Sequence, residues 1–257
     1  MNLNNQRILL TGASRGIGFA IAQELARHGA RLFIMARDEN RTMSACEKLA
    51  QSGAKVSCKA IDISDLRSIA PAIQKAIEAM GGIDILINNA AITTQQMVVD
   101  QNMSLVEKEM RVNYLGVYAA TQAVLPTMLA QKGGMIVNIA STIGKVPSPT
   151  QANYCASKAA IIAFSEALRS EVEDQGVQVK VFIPGHTDTE MGNSIKLKTP
   201  QLMTAEAVAQ DFIKALRSKA PEYICGGANR GIISISRMMP ELARKIMKDI
   251  ALSSFFA

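Results

Sequence analysis

The sequence predicts a single doubly wound α/β fold built on a mainly parallel, seven-stranded sheet. Three observations predict it: short apolar runs alternate with helix-length segments along most of the chain, several of the runs are apolar almost throughout, and glycines stand at many of the helix ends. A strand covered by helices on both faces reads as a continuous apolar run and not as an alternation of apolar and polar residues. Strand and helix in strict alternation are the pattern of a parallel sheet with helical crossovers.

In chain order the strands are expected at Arg7–Thr11, Arg31–Ala36, Lys55–Ile61, Ile83–Ile87, Met135–Ala140, Val177–Ile183 and, more weakly, Glu222–Cys225. The intervening stretches Gly18–His28, Arg41–Gln51, Leu66–Met80, Leu105–Gln131 and Ser157–Gln175 are long enough for helices. Gly29, Gly53, Gly81 with Gly82, Gly133 with Gly134, and Gly176 fit the caps that end such helices before the next strand. No internal repeat, low-complexity tract or Pro/Gly/Ser-rich linker divides the chain, so residues 1–257 are expected to form one domain.

Composition narrows the function classes. Hydrophobic residues make up 48% and charged residues 19%, which supplies a core and excludes a disordered tail. The net charge of +6 suits an anionic small ligand, while the absence of tryptophan and of any dense basic run argues against nucleic acid as a partner. Cysteines at 46, 58, 155 and 225 form no C-x-x-C pair, and with His28 and His186 far apart no metal site is expected. No signal-peptide pattern and no long apolar span is visible, so a cytoplasmic location is expected.

In a doubly wound sheet, ligands bind beyond the C-terminal ends of the strands. After the first run comes Thr11-Gly12-Ala13-Ser14-Arg15-Gly16-Ile17-Gly18. A tight turn calls for Gly12, close approach of backbone to a pyrophosphate calls for Gly16, and helix packing on the strand calls for Gly18. The free amides of the following helix then face the phosphates of a dinucleotide. At the end of the second run, where an acidic residue would bind a ribose 2′-hydroxyl, the chain has Ala36 and Arg37. A guanidinium there favours a 2′-phosphate, with Arg15 on its other side, so NADP(H) is expected before NAD. Beyond the fifth run stand Ser141 and then Tyr154 and Lys158, four residues apart on one helical face. Lowering a tyrosine pKa by three units takes about 4 kcal/mol, roughly what a lysine charge about 4 Å away supplies at an effective dielectric of 20.

Together these residues resemble the short-chain dehydrogenase/reductase family, over about residues 5–192, and within it the NADP-preferring ketoreductases similar to 3-oxoacyl-[acyl-carrier-protein] reductases. The glycine loop resembles that family's T-G-x-x-x-G-x-G, Asn88-Asn89-Ala90 its N-N-A-G with Ala91 in place of the last glycine, and Pro184-Gly185-His186-Thr187-Asp188-Thr189 its P-G-x-x-x-T. The resemblance implies a Rossmann fold with Asn113, Ser141, Tyr154 and Lys158 as catalytic residues. For the cofactor it implies Gly12, Ser14, Arg15, Gly16, Ile17, Gly18, Arg37, Asp62, Ile63, Asn89, Ala90, Tyr154, Lys158, Pro184, Gly185, Thr187 and Thr189. The implied reaction is hydride transfer from NADPH to a ketone or 3-oxoacyl carbonyl, with Tyr154 as general acid. An NAD-linked alcohol dehydrogenase and a non-catalytic dinucleotide sensor are the alternatives.

Residues 190–205, with Lys196 and Lys198, occupy the place of the family's substrate lid. Ala91, Thr93, Val146 and His186 are expected at the pocket, small or apolar enough for an aliphatic ketone, a 3-oxoacyl chain or a steroid. Residues 228–257 form a C-terminal helical extension in which Leu242, Ile246 and Ile250 share one helical face, away from Arg244, Lys245 and Lys248. That face is expected to pack within a homo-oligomer, a dimer or tetramer, ahead of lying on a membrane.

Overall fold

The computed structural model describes residues 1–197 and 202–256. Strands β1 (Arg7–Thr11), β2 (Arg31–Ala36), β3 (Lys55–Ala60), β4 (Ile85–Asn88), β5 (Gly134–Ile139) and β6 (Val177–Ile183) form one sheet with a late strand, which is β9 (Glu222–Ile224) after two short strands described below. The spatial order is β3-β2-β1-β4-β5-β6-β9, and every pairing is parallel. The sheet is therefore seven-stranded as expected, and wholly rather than mainly parallel.

The order reverses direction between β1 and β4, so the loops leaving these neighbours diverge and open a crevice at their C-terminal ends. Period-two alternation sorts the apolar runs onto two covered faces. Ile8, Leu10, Leu32 and Ile34 pack on one side with Leu25 of α1 (Gly16–Arg27), Leu49 of α2 (Glu39–Gln51) and Phe212 of α8 (Ala205–Arg217). Leu9, Phe33 and Met35 face the other side with Ile73 of α3 (Leu66–Met80), Val124 of α5 (Gly116–Ala130) and Leu168 of α6 (Ala152–Val172). Fully burying one such side chain contributes about 1.5–3 kcal/mol.

One expectation needs correction. The helix expected over Leu105–Gln131 is broken: α4 (Met103–Met110) passes through a π-helical turn, Arg111–Leu115, before α5. The C-terminal extension, α9 (Gly227–Met238) and α10 (Pro240–Phe255), packs on its own chain through a face next to the one that carries Leu242. Leu242 is exposed, whereas Ala243 is buried and Met247 packs with it against Ile161, Val181 and Ile183. The small Ala243 and Ala251 allow this approach of backbone to core.

Candidate active site

The two sides of the crevice are stapled by Thr11 and Asn89. Thr11 Oγ1 accepts from the amides of Asn89 (3.0 Å) and Ala90 (3.1 Å), and Asn89 Nδ2 donates to the carbonyls of Thr11 (3.1 Å) and Gly12 (3.0 Å). A side chain at Gly18 would bring its Cβ to 2.2 Å from the Gly12 carbonyl oxygen and 2.4 Å from Asn89 Nδ2, so the turn closes only over glycine. Gly16 takes φ +55°, a backbone that a residue with a side chain adopts at a cost.

The N-terminus of α1 carries no side-chain cap, since Arg15 precedes it in extended conformation. By contrast α2, α3, α4 and α8 are capped by Asp38, Asp65, Asn102 and Thr204. The first amides of α1, around Gly16, Ile17 and Gly18, are therefore open to an anion, which fits the diphosphate of a dinucleotide. Ser14 is half-buried in the turn leading there.

Arg37 stands exposed just past β2, with no hydrogen bond or ion pair among the described residues. Arg15 is engaged differently from expectation. It pairs with Glu190, to which Arg41 also donates at 3.0 Å. Glu190 begins α7 (Glu190–Asn193), capped by Thr189, and the guanidinium of Arg41, then that of Arg15, hold its carboxyl below the usual range. Asp62 Oδ1 accepts from the Ser64 amide and hydroxyl at 2.9 and 2.7 Å. Burial opposes its charge, yet Ser64, with Arg37 and Lys108 nearby, keeps its pKa low. Ile63 follows it and meets Gly116, where a Cβ would come to 2.9 Å from Ile63 Cγ1.

Four of the expected residues gather around α6. Asn113 lies in the π turn, fully buried; its Oδ1 accepts from the Ile92 amide at 2.9 Å, and its Nδ2 donates to the Ile92 carbonyl (2.9 Å) and to Ser157 Oγ (3.0 Å). Ser157 in turn donates to the Tyr154 carbonyl at 2.8 Å. Lys158 Nζ donates to the Ile139 carbonyl at the end of β5 (2.9 Å) and lies 5.6 Å from the centre of the Tyr154 ring. Ser141 opens a 3₁₀ turn, Thr142–Gly144, pressed so closely on α6 that a Cβ at Gly144 would sit 2.9 Å from the Lys158 carbonyl carbon.

The electrostatics differ from the simple pairwise expectation. Burial, followed by the charge of Glu109, raises the pKa of Tyr154, and burial lowers that of Lys158 to about 8. The lysine is tied to a carbonyl and lies over the ring, and removal from water acts on both groups at once, so it outweighs their mutual attraction.

The segment after β6 joins the site from the other side. The Thr142 amide donates to the Pro184 carbonyl at 3.0 Å, Thr187 Oγ1 donates to the Gly185 carbonyl at 2.9 Å, and His186 Nε2 meets the Gly192 carbonyl at 2.9 Å, a brace for the loop. A Cβ at Gly185 would lie 2.5 Å from the Asn229 amide of α9, so the extension backs this loop. The expected lid is fastened at both ends: β7 (Thr187–Asp188) pairs with β8 (Met203–Thr204). At its middle the Lys196 amide donates to Gln95 Oε1 (2.7 Å) and Gln95 Nε2 donates to the Lys196 carbonyl (3.0 Å). Lys198 lies outside the described residues. Of the expected pocket residues, Val146 is buried in the core with Ile161, while Ala91 and Thr93 are half-buried in the loop after β4.

Sequence reasoning missed Arg41, Glu190, Gln95 and Glu109. The first three meet across more than a hundred residues of chain and leave no local signal. Glu109 had one: it shares the helical spacing of buried Val112, Asn113 and Gly116.

The profile of the family described as short chain dehydrogenase matches residues 6–200. The chain belongs to the short-chain dehydrogenase family. This short-chain dehydrogenase is 37% identical over 235 residues to a 3-oxoacyl-[acyl-carrier-protein] reductase of Chlamydia muridarum, covering 87% of this chain and 94% of that one. It superimposes with a TM-score of 0.84 and 27% identity on a short chain dehydrogenase from Burkholderia cenocepacia in complex with NADP, covering 96% and 99% of the two chains. A Burkholderia phymatum relative in complex with NAD, at TM-score 0.85 and 22% identity over 95% and 97%, shares the fold.

Proposed function

We propose that this short-chain dehydrogenase is an NADPH-dependent ketoreductase, reducing a ketone or 3-oxoacyl-type carbonyl to a secondary alcohol. The observation that carries the reading is the gathering of Asn113, Ser141, Tyr154 and Lys158 around the start of α6, on the crevice side that also holds the uncapped N-terminus of α1. Likeness to a 3-oxoacyl-[acyl-carrier-protein] reductase supports the substrate class.

The amides at Gly16, Ile17 and Gly18 would hold the diphosphate of the cofactor, Arg15 and Arg37 its 2′-phosphate, and Asp62 and Ile63 its adenine end. Lys158 and Tyr154 would hold the nicotinamide ribose, and the Pro184–Thr189 segment the carboxamide. When bound, the nicotinamide dinucleotide supplies the hydride. Ser141 donates a hydrogen bond to the substrate oxygen and stabilises the charge developing there. Tyr154 passes its phenolic proton to that oxygen, and the Lys158 ammonium stabilises the tyrosinate left behind. With a pKa near 8, Lys158 remains mostly protonated at neutral pH while giving up a proton readily. Asn113 holds the buried turn against Ser157, on the helix that carries Tyr154 and Lys158. The outer face of α5, with exposed Leu115 and Tyr118 beside Phe164 of α6, suits a homo-oligomer.

Titration of NADPH and NADH into wild-type protein and Arg37→Ala tests the cofactor reading. NADPH is expected to bind the variant about tenfold or more weakly, NADH as before. Equal losses for both cofactors, or a wild-type preference for NADH, would overturn it.

A further inference from the structure

Glu109 is the one acidic side chain that is fully buried among the described residues, and it is hydrogen-bonded to Asn153, the residue before Tyr154. Its Oε2 accepts from Thr94 Oγ1 at 2.8 Å and from Asn153 Nδ2 at 2.9 Å. Its Oε1 is buried with no hydrogen-bond partner. Thr94 belongs to the loop after β4, which also carries Gln95 with its hold on Lys196. Asn153 precedes Tyr154 on α6, and its amide also reaches the Val106 carbonyl of α4 at 3.2 Å. Four residues beyond Glu109 is Asn113. A single carboxylate thus joins three segments that carry the active site.

A buried carboxylate with an unsatisfied oxygen costs several kcal/mol unless something compensates it. Both neighbours of Oε2 donate hydrogens to it, as they would to a carboxylate. Burial raises its pKa, against the hydrogen bonds of Asn153 and Thr94 and the attraction of the Lys158 ammonium. The titratable groups that face Glu109 are Tyr154, Cys155 and Lys158, all from α6. On its own side, Lys108 is exposed and Arg111 Nε donates to the Ser64 carbonyl. The loop from Asn89 to Met97 contributes no charged residue, and Lys145 beyond β5 is paired with Glu222 at 2.7 Å.

We propose that Glu109 is a positioning residue of this ketoreductase: its carboxylate fixes the loop after β4 and the start of α6 against α4, and its negative charge holds the proton on the Tyr154–Lys158 pair. The inference rests on the reading of Tyr154 as the proton donor. Its sign does not depend on which partner ionises. Removing a nearby negative charge makes a proton leave either Tyr154 or Lys158 more readily, so the first deprotonation of the pair moves to lower pH. A unit charge at such range in a partly buried site is worth roughly one pH unit or more. Burial works against ionisation of Glu109 itself, which makes its charge the point to test.

The test is the pH dependence of kcat for reduction of an acetoacetyl thioester by NADPH, compared between wild type, Glu109→Gln and Glu109→Asp. In Glu109→Gln the fall of activity at high pH is expected to begin about one pH unit lower. Glu109→Asp keeps the charge and shortens the reach, so it is expected to lower kcat without moving the profile. An unmoved profile in Glu109→Gln, or the same displacement in both variants, would overturn the proposal. If Glu109→Gln does not fold, Glu109→Ala, which also removes the charge, is read in its place: a fall of activity about one pH unit lower supports the proposal, and an unmoved profile overturns it. Should the proton-donor reading itself be wrong, Tyr154→Phe run beside them keeps wild-type turnover, a result separate from any displacement of the profile.

Discussion

Glu190 is where cofactor recognition and the lid meet. Its carboxylate occupies Arg15, the residue expected beside Arg37 at the 2′-phosphate, and Arg41 with it. An incoming phosphate competes with it for the same donors, and all the groups involved are exposed, so the competition is modest and sensitive to salt. Glu190→Gln is expected to tighten NADPH binding about threefold at low ionic strength, with NADH unaffected and the gain fading as salt is added. Fluorescence titration of the two cofactors checks this, and unchanged or weaker NADPH binding would contradict it. The sequence pointed to Arg15 and Arg37 through their places in the glycine loop and after β2. Arg41 and Glu190 were silent there, because a surface arginine one turn into α2 and a carboxylate after a threonine look like ordinary solvated helix starts. Asn89 was visible as a motif, but its side chain acts on the glycine turn, where it sets the spacing between β1 and β4.

Strands β1 and β4 are joined at the end away from the crevice by Arg7 and Asp84. The Arg7 amide and Nε donate to Asp84 Oδ2 at 2.8 and 3.0 Å, and the Asp84 amide donates to the Arg7 carbonyl at 2.8 Å. Burial works against the Asp84 charge, but the Arg7 guanidinium and amide outweigh it and hold its pKa below the ordinary value. A depressed carboxylate contributes stability that is complete above the unfolded value of about 4 and is lost as pH falls through the folded one. Asp84→Asn is expected to cost about 1 kcal/mol at neutral pH, the exposed edge of the pair being screened by water, and to match wild type in strong acid. Denaturant melts at the two pH values check this, and a gap that persists in acid would contradict it. The strands themselves were legible, because Arg7–Thr11, Arg31–Ala36 and Val177–Ile183 carry nearly unbroken apolar runs that end where the sheet ends. The break at Arg111–Leu115 was not legible. A π turn uses the same residues as a helix and differs only in which carbonyl each amide finds. The face that α10 turns to its own chain was not legible, because Ala243 and Ala251 are too small to weigh in a hydrophobic pattern.

The whole molecule brings the C-terminal ends of four neighbouring strands of one parallel sheet to a single crevice. The glycine turn comes from β1, the staple from β4, Ser141 from beyond β5, and the Pro184–Thr189 segment from beyond β6, with α9 behind it at Asn229. Sequence order alone made this convergence readable, since each expected residue falls just past a strand and a doubly wound sheet brings those places together. The closure of the site was not readable in that way. Gln95 on Lys196, Glu190 on Arg15 and Asn153 on Glu109 are contacts between segments whose separation along the chain gives no sign of the pairing. Among the described residues no helix is long and apolar enough to cross a membrane. The claim on which the rest depends is that this crevice passes a proton from Tyr154 to a carbonyl oxygen as NADPH is oxidised. Its most direct test is NADPH oxidation at neutral pH by wild type and Tyr154→Phe, against 3-oxoacyl thioesters, cyclic ketones, quinones and steroids. Turnover of at least one carbonyl by wild type, reduced about 10²–10⁴-fold in Tyr154→Phe with NADPH binding retained, is the predicted result. Equal turnover in both proteins, or none by wild type with any carbonyl, would contradict it.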